Sequence, residues 1–264
     1  MKNYFRLILI QLNGLFPFLY PFSHLFKNFN YPKGIIYYVR DYFDYSRSVK
    51  KNNPFKILFK NTYPIYFDRF EEAGELPRHY FYQDIWAANK VYKSKVKTHY
   101  DLGSRINGFI SHCVVFCKVV MLDIRPLKSV VPNLDFVEVD GTNMKNIKNN
   151  SLESISSLHA VEHFGLGRYG DPIDPTAYIK AIQEIQRVVK KGGDIYFSVP
   201  IGRQKLMFNA HRIFNPKYIK DLFKKCKLVE FSVVEDKDTF IEKVNIGDYV
   251  NSNYSCGLFH FKKL

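Results

Sequence analysis

From Thr98 onward, short apolar runs alternate with helical or turn-forming stretches, and this alternation constrains the fold more than any other feature of the chain. The candidate strands are THYDLG, KVVMLDI, LDFVEVDG, SISSLHA, DIYFSVPIG and LVEFSVVED, with CGLFHF at the carboxyl end. The clearest helix lies in PTAYIKAIQEIQRVVKK, where Tyr178, Ile179, Ile182, Ile185, Val188 and Val189 make one apolar stripe. Pro175 suits its first turn, and Gly192 and Gly193 end it after two lysines. Strands alternating with helices build a mostly parallel sheet, here seven-stranded, with helices on both faces. Ligands of such sheets bind beyond the carboxyl ends of the strands.

That rule selects residues before any chemistry does. Asp101 ends the first strand and leads into DLGSRINGF, where Gly103 and Gly108 permit tight turns and a close approach of backbone N–H groups to a ligand. Asp123 ends the second strand, about twenty residues on, where an acidic side chain accepts hydrogen bonds from ribose hydroxyls. Asp140, followed by Gly141, Thr142 and Asn143, ends the third. A single Asp at a strand end is commonly a turn or helix cap. Three at consecutive strands, beside a glycine-bearing turn, make a rim.

The stretch LHAVEHFGLGRYGDPIDP, residues 158–175, concentrates His159, Glu162, His163, Arg168, Tyr169, Asp171 and Asp174 among three glycines. His159, Glu162 and His163 spell H-x-x-E-H, which on a regular helix is a zinc-hydrolase motif and needs a third ligand from farther along, Glu230 or Glu235. Against that reading, SISSLHA is a strand leading into the motif and GLGRYGDP breaks any helix just after Phe164. The run is therefore read as a polar loop with no metal. The plain alternative is a structural loop whose acids cap the next helix at Asp174.

The 264 residues are 46% hydrophobic and 24% charged, enough for one sizeable domain with an appendage or for two small domains. The net charge of +14 favours anionic partners. The basic runs KSKVK and KDLFKKCK are short and lack paired stacking aromatics, which argues against nucleic acid. Four cysteines without framework spacing fit reduced thiols in the cytoplasm. Residues 7–26, LILIQLNGLFPFLYPFSHLF, are uncharged, but Pro17 and Pro21 interrupt them where a spanning helix needs continuity. A segment within residues 1–30 lying on a membrane surface, or packed against the domain, fits better. Residues 1–74 read as an aromatic, basic extension and residues 75–264 as the main domain.

The motifs DLGS, LDIRP, VDGTNM, SSLHAVEHF and EIQRVVKKGGDIYFSVP fall in an order that resembles the class I S-adenosylmethionine-dependent methyltransferases. HAVEHFGLGRYGDPIDP, DLGSRINGF and HRIFNP resemble more specifically an uncharacterised methyltransferase-like family associated with bacterial surface-polysaccharide gene clusters. The resemblance covers about residues 75–264 and implies a Rossmann-like fold with S-adenosylmethionine as cofactor. It implies that Asp101, Gly103 and Ser104 face the methionine part, Asp123 the ribose, and Asp140 the adenine amine, with Gly141, Thr142, Asn143 or Met144 beside the ring. One departure stands out: Arg105 and Asn107 occupy the usual second and third glycine positions, so Arg105 turns outward, pairs with the cofactor carboxylate, or fills the pocket.

On such a fold the residues after Leu158 face the transferred methyl group. His163 is the first choice of base, since an unperturbed imidazole titrates near neutrality. His159 and Glu162 orient it or replace it, and His211 in NAHRIFNP reaches the same cleft. Arg168, Tyr169, Asp171 and Asp174 bind a polar acceptor, a small molecule or a glycan sugar in polysaccharide biosynthesis. The rival expectation is a non-catalytic interaction module of the same fold at the membrane.

Overall fold

In the computed structural model, which describes residues 31–70 and 78–264, the alternation beginning at Thr98 becomes a single large sheet. Its strands are β1 (Thr98–Leu102), β2 (Lys118–Asp123), β3 (Leu134–Glu138), β4 (Leu152–Leu158) and β5 (Val189–Ile201). A hairpin of β6 (Lys205–Met207) and β7 (His211–Ile213) follows, then β8 (Cys226–Val234), β9 (Phe240–Ile241) and β10 (Ser255–Lys263). The order across the sheet is β3-β2-β1-β4-β5-β10-β8-β9. Strands β1 to β5 pair in parallel, and β10 lies antiparallel between β5 and β8. This is the Rossmann-like fold of the class I methyltransferases.

The sheet has eight strands where the sequence pattern predicts seven, because β9 contributes only two residues to the edge, too few to register as an alternation. The helix α3 (Ala177–Val188) also ends earlier than predicted. Val189 turns extended and pairs with Leu152, so the two lysines and Gly192 belong to the entry of β5 rather than to a helix terminus.

Alternate residues of the central strands have collected different helices. Ile195, Phe197 and Val199 of β5, with Phe259 and Phe261 of β10, pack on Ala181, Ile182 and Ile185 of α3 and on Ile219 of α4 (Pro216–Leu222). Tyr196 of β5 and Leu258 of β10 face the other way, onto Trp86, Ala87 and Val91 of the helix α2 (His79–Ser94). The period-two geometry of strands thus gives both faces an apolar cover. Each large side chain buried in this way contributes about 1.5–3 kcal/mol.

By its internal packing the chain divides into two units, Met1–Glu75 and Leu76–Leu264. In the first, the helix α1 (Tyr31–Ser48) carries Tyr37, whose ring centroid lies 4.8 and 4.6 Å from the guanidinium groups of Arg40 and Arg69. The uncharged run 7–26, and with it the expected membrane-surface segment 1–30, lies outside the described residues. No helix among the described residues is long and apolar enough to cross a membrane.

Candidate active site

Beyond the carboxyl ends of β1, β2 and β4 lies a cavity of about 530 Å³. The chain reaches it four times from the sheet. Gly103 follows β1, Asp123 ends β2, Asp140 to Thr142 follow β3, and His159 follows β4. Gly103 has φ +78°, and a β-carbon there would stand 2.9 Å from that of Ala160, so glycine alone allows this turn under the cavity floor.

The three strand-end acids divide. Asp123 and Asp140 line the cavity, and Asp101 does not. Asp101 is fully buried, accepts from the Ser104 N–H and hydroxyl at 2.9 and 2.7 Å, and accepts from Ser156. Its carboxylate therefore ties the β1 turn to β4 instead of facing a ligand. Ser104 is consumed in the same network, and Asn143 is also absent from the cavity lining. Burial raises the Asp101 pKa to about 6, against the opposing pull of the Ser156 and Ser104 hydrogen bonds.

Asp140 accepts from the Thr142 N–H and hydroxyl at 2.8 Å through Oδ1, a local turn that also sets Gly141 and Thr142 against the cavity. Asp123 is held by a residue that sequence reasoning did not single out. Arg125 folds back, donating from its backbone N and Nε to Oδ1 and from Nη2 to Oδ2. Arg105 is exposed and stacks 5.0 Å from the ring of Tyr80, so it stands at the lining and leaves the hollow open.

The histidine-bearing stretch is not a zinc helix. Val161–His163 is a single 3₁₀ turn, and His159 precedes it with φ +48°. Nor do the proposed third ligands arrive: Glu230 binds Lys90 at 2.6 Å and Glu235 accepts from Tyr249. Instead His159 Nδ1 lies 2.8 Å from Glu162 Oε1, both side chains being buried. Burial works against charge on both partners. For His159, nearby Cys256 and Glu162 outweigh burial and hold the pKa well above its ordinary value, and His159 in turn holds the Glu162 carboxyl low.

His163 Nδ1 lies 2.6 Å from the Ala210 carbonyl oxygen. A carbonyl only accepts, so the proton sits on Nδ1 and the lone pair on Nε2. Burial lowers the His163 pKa, which keeps the ring neutral at pH 7. His211 also lines the cavity, with its ring 6.4 Å from that of His163.

Of the expected acceptor-binding residues, all four line the cavity, but the two acids are engaged with their own loop. Asp171 accepts from the N–H groups of Gly165 and Tyr169, and Asp174 from the N–H and hydroxyl of Thr176 and from Lys180. Arg168 donates to the Ala210 carbonyl at 2.9 Å and stands 5.2 Å from the ring of Tyr169. Asp174 does not cap the helix as the structural reading of this loop expects: the N-cap residue of α3 is Thr176, which makes no side-chain cap bond, and Asp174 closes a turn onto it. Gly165, at φ +75°, brings the loop against the Asp174 carbonyl.

Fold and cavity together define a Rossmann-like protein with a pocket at the carboxyl edge of its parallel strands. Residues 113–253 match the family described as Caenorhabditis protein of unknown function, DUF268, and the chain belongs to that family. A comparison with curated proteins returns no match. Among solved structures, the 1,6-didemethyltoxoflavin-N1-methyltransferase of Burkholderia thailandensis, crystallised with S-adenosylhomocysteine, is 13% identical. Its TM-score is 0.49, over 69% of this chain and 78% of that one. The N-methyltransferase NodS of Bradyrhizobium japonicum, also with S-adenosylhomocysteine, is 10% identical with a TM-score of 0.46, covering 72% and 93%. The [4+2]-cyclase SpnF is 10% identical with a TM-score of 0.49, covering 67% and 80%. The functional reading rests on the residues of this chain.

Proposed function

We propose that this chain transfers the methyl group of S-adenosylmethionine to a polar small molecule, with a sugar or its nucleotide-linked precursor as the acceptor. The observation that carries the reading is the meeting of Asp123, Asp140 and a neutral, Nδ1-protonated His163 around one cavity at the carboxyl edge of a parallel sheet. The cavity has the size of a nucleoside with an acceptor beside it.

The residues fit the cofactor. Gly103, at φ +78° with no room for a β-carbon against Ala160, keeps the β1 turn low at the cavity edge, and Asp123 is the acceptor for ribose hydroxyls. Asp140 keeps Oδ2 for an adenine amine, since its turn uses Oδ1 alone. When bound, the cofactor supplies an electrophilic sulfonium methyl. His163 takes the acceptor's hydroxyl proton on Nε2 while Ala210 holds Nδ1–H, and alignment of the acceptor contributes the remainder. His211, Arg168 and Tyr169 furnish the polar wall against which the acceptor sits.

One observation favours a non-catalytic member of the fold: both carboxylate oxygens of Asp123 already accept from Arg125. Calorimetry with S-adenosylmethionine and S-adenosylhomocysteine separates the two. The methyltransferase reading expects binding of both, lost in Asp123→Ala. Failure of both nucleosides to bind a folded wild-type chain removes the reading and leaves the interaction module.

A further inference from the structure

The methyl-transfer reading leaves a buried trio beside the cavity unused. His79 in the first turn of α2, His159 after β4 and Cys256 near the start of β10 each offer one ligand atom, and these atoms lie within 4.8 Å of one another. All three residues are buried, Cys256 completely. Among the described residues this is the one such grouping of His, Cys, Asp and Glu. Its members come from three elements far apart in sequence, so a local turn does not account for their meeting.

The state of His159 points to a ligand. Its Nδ1 is bonded to the Glu162 carboxylate, which leaves Nε2 as the nitrogen available to the trio. That atom is fully buried and has no hydrogen-bond partner. A carboxylate holding the far nitrogen of an imidazole is the arrangement that orients and tautomerises metal-bound histidines. The rings of His79 and His159 are near parallel, 6° apart in plane with centroids 5.5 Å apart. Tyr254 packs on His79 and Tyr80 on His159, so aromatic side chains enclose the group.

We propose that His79, His159 and Cys256 bind a divalent cation of the zinc class through two imidazole nitrogens and one thiolate. Nitrogen and sulfur donors select such a borderline-soft ion over magnesium or calcium. On binding, the Cys256 S–H proton and any proton on His159 Nε2 are released to solvent, and metal–sulfur and metal–nitrogen bonds replace the S–H and N–H bonds. Three protein donors leave a tetrahedral ion one position for a water or substrate oxygen. His159 also lines the cavity, so the ion adjoins the space assigned to the acceptor. This site differs from the H-x-x-E-H reading: Glu162 stands behind His159 instead of binding metal, and His79 and Cys256 replace His163. It does not depend on methyl transfer.

The test titrates Co²⁺ into the untagged, metal-stripped full chain and follows the thiolate-to-cobalt charge-transfer band in the near ultraviolet. The expected result is saturation at one equivalent, with Zn²⁺ abolishing the band stoichiometrically. Cys256→Ser should lose the band, His79→Gln should weaken cobalt binding at least about tenfold, and His163→Gln should leave it unchanged. Native circular dichroism checks each variant, and if Cys256→Ser does not fold, the His79→Gln result decides. No band in the wild type, or an undiminished band in folded Cys256→Ser or His79→Gln, overturns the site. Loss of S-adenosylhomocysteine binding with cobalt uptake intact bears on the methyltransferase reading alone.

Discussion

Arg125 lies across the carboxylate of Asp123 as a fork, with Nε 3.0 Å from Oδ1 and Nη2 2.8 Å from Oδ2, while its guanidinium stacks 4.5 Å from the ring centroid of Tyr169. The pair joins the end of β2 to the histidine-bearing loop across the cavity. The Arg125 side chain is half exposed, so the ion pair contributes at most about 1 kcal/mol. A ribose hydroxyl at Asp123 shares the carboxylate with this guanidinium or displaces it. Arg125→Ala should therefore retain S-adenosylhomocysteine binding and tighten it by up to about fivefold. Asp123→Ala should weaken it by about tenfold or more. Calorimetry reads both, and a loss of binding in Arg125→Ala shows that the fork helps to hold the ligand.

His163 should be neutral at pH 7 with its proton on Nδ1. The Ala210 carbonyl fixes the tautomer, and burial lowers the pKa from 6.5. Nitrogen-15 imidazole spectra should show the Nδ1–H form, with protonation only as pH falls below 6.5. Once an acceptor supports turnover, His163→Gln should lower kcat by about 10²–10⁴ with little change in nucleoside affinity. Observation of an Nε2–H tautomer would remove the free lone pair and with it the role of base.

The alternation of strands and helices was legible in the sequence because a parallel sheet covered on both faces demands continuous apolar runs, as in Ile195 to Ile201. The ends of those runs gave the cavity rim through Asp123, Asp140 and His159. Asp101 read alike but turns inward, since strand position says where a side chain starts and not which way its carboxylate points. The Arg125 fork was missed because a side chain folding back on its neighbour leaves no spacing signal. His79 and Cys256 were missed because only tertiary packing brings them to His159. Helix α3 ended early because β5 draws Val189 into the sheet by pairing it with Leu152, a long-range contact that overrides the local glycine signal.

A buried chain of hydrogen bonds gives opposed pH dependences. Ser156 donates to Asp101, so His99 Nε2–H donates to Ser156 Oγ at 2.8 Å and Nδ1 accepts from Ser154. Burial lowers the His99 pKa to about 3, below its unfolded value, so its contribution is lost as pH falls below 6.5. Asp101, raised by burial to about 6, binds more protons folded than unfolded, so its contribution declines as pH rises from about 4 to about 6. The two slopes oppose each other in that window, each limited to about 1.4 kcal/mol per pH unit. Relative to wild type, Asp101→Asn should gain stability from pH 4 to 6, by a total on the order of 2–3 kcal/mol. His99→Gln should lose stability relative to wild type over the same range. Urea unfolding at pH 4, 5, 6 and 7 measures both, and variant curves parallel to wild type would show that neither group titrates as its burial implies.

Gly165 and Gly192 share φ +75° but differ in what surrounds them, which separates backbone strain from contact. A β-carbon at Gly192 meets nothing within 4 Å, so Gly192→Ala carries only the left-handed penalty of about 1–2 kcal/mol. At Gly165 the same atom would stand 1.9 Å from the Asp174 carbonyl oxygen and 2.8 Å from the Ala177 side chain. Backbone cannot yield as a flexible side chain does, so Gly165→Ala should cost at least about 2 kcal/mol more than Gly192→Ala in urea unfolding. It should also weaken S-adenosylhomocysteine binding, because Gly165 N–H anchors Asp171 at the cavity wall, whereas Gly192 lies outside the cavity lining. Equal costs for the two substitutions would mean that the loop after β4 shifts freely, and the cavity wall built on it would then not hold an acceptor in line.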